Sequence, residues 1–388
     1  MISETLPAPA TASTLMPVYD ELPFSPVRGE GVWLWDAGGR RVLDLWGGHA
    51  VAVLGHAHPH LLAALRDQAA ALMFQSNVLP MALREQAACH LLAFAPPGLG
   101  QVFFVNSGAE ANENALRLAL RATGRRRVVA LEGAFHGRTA ATGALTAGSA
   151  KWYAFPQAPF DVTIVPRGDL DALAGALLGG DVAALLVEPI QGVAGAVELG
   201  RDYLLAAREL TRDAGALLIF DEVQTGMGRT GWPFAAQMYE VAPDVLTVAK
   251  GLAGGFPAGA VLATEAVAAV AGKGSLGSTF GGGPLACALI LAVLDAIEEA
   301  ELLPRVRAVS AYVRERCVVG PVASIQGAGL LLGLRTTRPA RQVVDELLAR
   351  DVLAGTSADP HVLRILPPLV LTPEHVDVLA SALAELPR

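Results

Sequence analysis

A formal charge of −8 on 388 residues, 29 Lys and Arg against 37 Asp and Glu, leaves no cationic surplus for gripping a nucleic-acid backbone. Hydrophobic residues make up 53% of the chain, enough for a large core, and a length prior of about 150 residues per domain points to two or three domains. No apolar run approaches the ~18 residues of a membrane helix, and the few, widely spaced cysteines Cys89, Cys287 and Cys317 fit a reducing cytoplasm rather than a disulfide framework or a zinc site.

Met1 to Met16, rich in Ala, Thr, Ser and Pro and without Lys or Arg, reads as a loose tail, not a secretory signal or transit peptide. A hairpin follows, Gly31 to Asp36 and Arg41 to Leu45 around the turn Ala37-Gly38-Gly39. Helical periods at Pro59 to Leu72 and Met81 to Phe94 lead into strand-then-helix units. Their strands are Gln101 to Val105, before a helix to Leu120, then Val128 to Leu131, Val162 to Val165, Val182 to Val187, Ala216 to Phe220 and Val245 to Ala249. Short continuous apolar strands alternating with helices predict an α/β fold whose mostly parallel sheet is covered on both faces. From Pro284 the pattern becomes a long helix to about Glu301, a strand near Gly329 to Gly333, and helices near Arg341 to Arg350 and Pro373 to Leu386. The expected division is an N-terminal segment 1–55 belonging to a small domain, a large domain 56–283, and a small α+β domain completed by 284–388.

Two apolar strands end on ionisable residues, Asp221 and Lys250. Burying either charge alone is costly, so each needs a partner. A pyridoxal ring would serve both, its aldehyde taking the lysine amine and its protonated pyridine nitrogen facing the carboxylate. A plain buried ion pair would also explain the two residues. A phosphate cradle is offered where the strand to Val105 passes through Asn106-Ser107-Gly108-Ala109 into a helix, because glycine allows close approach and a helix N-terminus attracts anions. Ser107 as an ordinary helix cap is the simpler account of that stretch alone. Gly277 to Gly283, with Ser278 and Thr279, is a second glycine-rich loop. Gly226-Met-Gly-Arg-Thr-Gly231 matches a dinucleotide fingerprint by letter, but Trp232-Pro233 follows where a helix should open. His56-Ala-His-Pro-His60 lacks a neighbouring acid or cysteine cluster, and no metal site is expected.

Asn106-Ser-Gly-Ala-Glu-Ala-Asn112, Ala134-Phe-His-Gly-Arg-Thr139, Glu188-Pro-Ile-Gln-Gly192, Asp221-Glu-Val-Gln-Thr-Gly-Met-Gly-Arg-Thr-Gly231, Ala249-Lys-Gly-Leu-Ala-Gly-Gly-Phe-Pro257 and Gly277-Ser-Thr-Phe-Gly281 stand in order along the chain. As a set they resemble the class III aminotransferases, of the fold type I pyridoxal-phosphate enzymes, and within that class the acetylornithine and succinylornithine aminotransferases. The resemblance runs from about Gly29 onward.

That resemblance implies pyridoxal 5′-phosphate as cofactor, with Lys250 its Schiff-base lysine and Asp221 the partner of its ring nitrogen. Ser107, Gly108 and Ala109 would hold the phosphate, Phe135 would stack on the ring, Gln224 would sit near its phenolic oxygen, and Glu222 and Val223 would also bind the cofactor. Thr279 would reach the phosphate from the second subunit of a homodimer. By the same resemblance, Arg364 would grip the α-carboxylate of glutamate or 2-oxoglutarate, Arg138 the distal or acyl-ornithine carboxylate, and Ser278 would touch substrate. The implied reaction moves the δ-amine of an N2-acylated ornithine to 2-oxoglutarate, in arginine biosynthesis. Other ω-amine donors, such as 4-aminobutyrate, ornithine or an acylated lysine, are the alternative, and a cofactor-binding protein without turnover a remoter one. Two residues depart from the pattern: Val193 stands where an acid often neutralises the gripping arginine, and Gly283 where asparagine is usual.

Overall fold

The computed structural model describes residues 14–388, so most of the N-terminal tail expected at Met1–Met16 lies outside the described residues. A seven-stranded sheet organises the site. Numbered within that sheet, its strands are β1 (Gln101–Val105), β2 (Arg127–Leu131), β3 (Asp161–Val165), β4 (Val182–Val187), β5 (Leu217–Asp221), β6 (Val245–Val248) and β7 (Gly259–Ala263). Their spatial order is β1-β7-β6-β5-β4-β2-β3. Every pair from β6 through β3 is parallel, whereas β7 runs antiparallel to both β6 and β1. β4 is buried at all six positions, as its uninterrupted Val-Ala-Ala-Leu-Leu-Val run requires of a strand covered on both faces.

The helix Gly108–Thr123 packs across the sheet, burying Ala111, Ala115, Leu116, Leu118 and Ala119 against one face. Ser107 caps it by accepting the Glu110 amide at 3.2 Å, and Gly124 ends it at φ 67°.

Early and late parts of the chain meet in two further sheets. Pro26–Glu30, Trp33–Asp36 and Arg41–Asp44 form an antiparallel set whose last strand pairs in parallel with Val352–Leu353. Val322–Ala328, Leu331–Thr336, Val362–Ile365 and Gly355–Thr356 make an antiparallel sheet carrying Arg364. The dinucleotide-like glycines do not open a helix. Arg229 is buried there and donates to the carbonyls of Leu330 and Pro367, pinning the loop to the late sheet.

Candidate active site

β5 and β6 are parallel neighbours, and their C-terminal ends deliver Asp221 and Lys250 to one crevice, the usual ligand position in such sheets. The cavity there encloses about 430 Å³ and is lined by Asn106, Gly108, Phe135, Arg138, Glu188, Val193, Gln224 and both ionisable residues. Lys250 opens a single 3-10 turn at φ 47°, a left-handed conformation costly for a side chain with a β-carbon and held in place here by the surrounding loop. Burial lowers the pKa of its amine, and Arg364 adds to the shift. Asp221 and Glu188 oppose it.

Asp221 is fixed from several sides. Oδ2 accepts from Asn112 Nδ2 at 2.7 Å and from His136 Nδ1 at 2.8 Å, and Oδ1 accepts the Val223 amide at 3.1 Å. Asn112 is itself held by Thr247, whose hydroxyl donates to Asn112 Oδ1 at 2.6 Å. A buried carboxylate with this many donors is set in one orientation.

The sequence-predicted residues separate into three groups. Gly108, Ala109, Ser107, Phe135, Val223 and Gln224 line the same cavity as Lys250, with Arg138 at its wall. Arg364 lies behind the wall, almost fully buried, its guanidinium 4.9 Å from the Trp46 ring and donating to the Thr356 and Gly192 carbonyls at 2.9 and 3.0 Å. Glu222, Ser278 and Thr279 point elsewhere. The Glu222 carboxylate turns under the following loop, taking the Ala235 and Ala236 amides and the Thr225 hydroxyl, while burial pushes it up to about 7. Ser278 accepts from Asn106 Nδ2 at 3.1 Å, and Thr279 is exposed outside the cavity of its own chain.

The motif reading assigned no role to Asn112, Thr247 and Glu188. Glu188 had the same signature as Asp221, a carboxylate closing an apolar strand.

The cavity suits a flat phosphorylated ring. A β-carbon on Gly108 would stand 2.7 Å from Val223, so the helix N-terminus lies hard against the inner wall, and Ser107, Gly108 and Ala109 at that end line the cavity, where a helix N-terminus favours an anion. The Gln224 amide oxygen and the outer nitrogen of His136 are buried polar atoms without a hydrogen-bond partner among the described residues. Residues 15–386 match the family described as "Aminotransferase class-III".

The chain belongs to the class III aminotransferases. It is 46% identical over 379 residues to an acetylornithine aminotransferase of Streptomyces coelicolor, covering 95% of this chain and 92% of that one. An N-acetylornithine aminotransferase structure from Stenotrophomonas maltophilia superposes with a TM-score of 0.80 at 34% identity, over 92% of this chain and 94% of that one. An ornithine aminotransferase from Toxoplasma gondii, whose structure shows partial occupancy of PLP at the active site, gives 0.90 at 30%, over 96% and 91%. This aminotransferase therefore has the fold of pyridoxal-phosphate enzymes, and among its described residues no helix is long and apolar enough to cross a membrane.

Proposed function

We propose that this aminotransferase binds pyridoxal 5′-phosphate and moves the δ-amino group of an N2-acylated ornithine, N-acetylornithine foremost, to 2-oxoglutarate as a step of arginine biosynthesis in the cytoplasm. The observation that carries the reading is the convergence of Lys250 and Asp221 on one cavity walled by Arg138 and backed by Arg364. The acetylornithine relatives support the donor, and the cysteines, unpaired among the described residues, support the compartment. Bound in this cavity, the cofactor would supply an electron sink and a carrier for the amino group.

The chain's own groups do the rest. Asp221, locked by Asn112 and His136, presents a carboxylate that keeps a facing ring nitrogen protonated. Lys250, its ammonium disfavoured by burial, takes a proton at Nζ from the amine-bearing carbon of the substrate. Phe135 provides the flat wall, and the amides of Ser107, Gly108 and Ala109 hold a phosphate. Val223 and Gln224 line the opposite edge, and Glu222 braces the loop that carries them. Arg138 and Arg364 take the two carboxylates that a dicarboxylic acceptor brings.

The same reading includes a homodimer. Met73, Phe74, Val78, Leu79 and Phe280 stand exposed together with Thr279, a set of apolar side chains that a second copy would cover while extending Thr279 to the phosphate of its neighbour. A panel of N-acetylornithine, N-succinylornithine, ornithine, 4-aminobutyrate and an acylated lysine, each with 2-oxoglutarate, tests the proposal by kcat/KM. A higher value for any unacylated donor than for both acylornithines refutes the donor assignment.

A further inference from the structure

Directly after β4, Glu188 brings a carboxyl that is 5% exposed to the cavity wall. Both oxygens are engaged. Oε1 accepts the Phe135 amide at 2.8 Å and Oε2 the Gly192 amide at 3.2 Å. The carbonyl of the same residue, in the next peptide group, accepts from Arg364 Nη1 at 3.0 Å. One carboxyl thus holds the aromatic wall through one amide and the carboxylate-gripping guanidinium through a single residue, Gly192. Gly192 also lies hard against the Gln224 side chain, whose Oε1 stands 1.6 Å from where a β-carbon would fall.

Arg364 is 4% exposed, and its hydrogen bonds go to carbonyls. Among the described residues no carboxylate forms an ion pair with it, and Val193 beside it adds only apolar wall. The carboxylate whose charge bears on Arg364 is Glu188, and the same charge bears on Lys250. We propose that Glu188 is the positioning and charge-compensating residue of the carboxylate pocket, ionised while the pocket at Arg364 is empty and protonated when a dicarboxylate fills it. This rests on the reading above that Arg364 receives a substrate carboxylate.

The electrostatics supply the direction. An ionised Glu188 offsets the buried guanidinium, whereas a bound carboxylate performs that service itself and leaves two anions on one cation. The groups facing Glu188 are His136 from the segment after β2, Asp221 at the end of β5, Lys250 after β6 and Arg364 from the late sheet. Burial raises its carboxyl to about 7, with Asp221 adding to the rise and His136 and the two amides opposing it. An added anion at Arg364 raises it further, so binding takes up a proton at and somewhat above neutral pH. Dicarboxylate affinity accordingly falls as pH rises through that range.

The probe is glutarate, an unreactive dicarboxylate, titrated calorimetrically into holoenzyme at about pH 7.5 in phosphate and in Tris, whose ionisation heats differ. For the wild type, the two buffers should report uptake of up to about one proton per site, with affinity falling by as much as about tenfold per pH unit. Glu188→Gln should lose that uptake and flatten the pH profile. A merely structural role would weaken binding alike at every pH. Equal heats in both buffers for the wild type, absence of glutarate binding, or unchanged uptake in Glu188→Gln overturns the inference. Should Glu188→Gln fail to fold, the wild-type buffer pair still decides, with Glu188→Asp expected to keep the uptake. A wild type that transaminates but binds glutarate without proton uptake defeats this inference alone. One that transaminates no amine with 2-oxoglutarate defeats the functional reading and this inference with it.

Discussion

At the floor of the cavity, Asp221 is 3% exposed, both of its oxygens are engaged, and the groups that hold it, Asn112 and His136, are themselves buried. At the rim, Arg138 is exposed, its guanidinium over the rings of Phe135 and Trp152 at 5.6 and 6.0 Å, while Phe280 beside Thr279 is 66% exposed. Desolvation accounts for the contrast. Charge kept away from water must be networked or it neutralises, so the floor is over-determined. Side chains that wait for a substrate or a second subunit stay solvated and loosely held. Floor substitutions should therefore strike kcat, and rim substitutions KM.

Lys250→Ala is the most severe test of the floor. It should abolish the visible absorption of lysine-linked cofactor and lower kcat on the order of 10⁴-fold or more. Wild-type turnover in that variant, measured under saturating substrates, would remove the lysine from the mechanism. Asp221→Ala should leave cofactor able to bind yet cost on the order of 4 kcal/mol of transition-state stabilisation, read as kcat. A loss below about tenfold would mean that the Asn112 and His136 network is only structural.

Arg138→Leu moves to the rim. Its expected cost is about 2 to 3 kcal/mol in kcat/KM, carried mainly by KM for the carboxylate-bearing substrate. If kcat falls instead, rim and floor are not separable. Val193→Glu places an acid beside Arg364 and should lower kcat/KM for N-succinylornithine relative to N-acetylornithine by about 1 to 2 kcal/mol, through competition for the guanidinium. A ratio that is unchanged, or shifted toward the succinyl donor, defeats this. The smallest effect belongs to Gly283→Asn. Gly283 is the N-cap of the helix Pro284–Glu299 with no side-chain bond to give, and a β-carbon there meets only the Phe280 carbonyl, at 3.1 Å. An asparagine cap should change stability by only a few tenths of a kcal/mol, read from chemical denaturation, with kinetics untouched.

Legibility followed the same divide. β1 and β4 run over the residues that their apolar runs predicted, and β4, buried at every position, leaves no ambiguity of period. Asp221 and Lys250 were legible because an ionisable residue closing such a run is expensive without a purpose. Other elements left weaker marks. β7 follows a glycine-rich turn and is built from Gly-Ala-Val-Leu-Ala, so nothing local marked an antiparallel strand inserted between β1 and β6. The helix Arg201–Asp213 carries six charged residues among thirteen, which masked its buried face of Tyr203, Leu204, Ala207 and Thr211. Thr247 and Asn112 are 135 positions apart, and no spacing rule could have joined them. The turning away of Glu222, next to the cavity-facing Val223, is a matter of loop geometry invisible in composition.

The parallel pairing of Leu43 with Val352 carries a consequence for how the molecule comes into being. Arg40 bonds to Asp351 and Trp46 occupies the space left by Gly355, where a β-carbon would lie 1.9 Å from the indole, so the platform under Arg364 is half early chain and half late chain. A ribosome adding roughly 5 to 20 residues per second needs on the order of 15 to 60 s to cover the interval. Throughout that wait the large sheet can fold, while the early hairpin keeps an unpaired edge open to any neighbouring strand. The carboxylate pocket is thus among the last parts of the newborn protein to exist, and nascent chains halted before Val352 should hold the Lys250 crevice without the Arg364 grip.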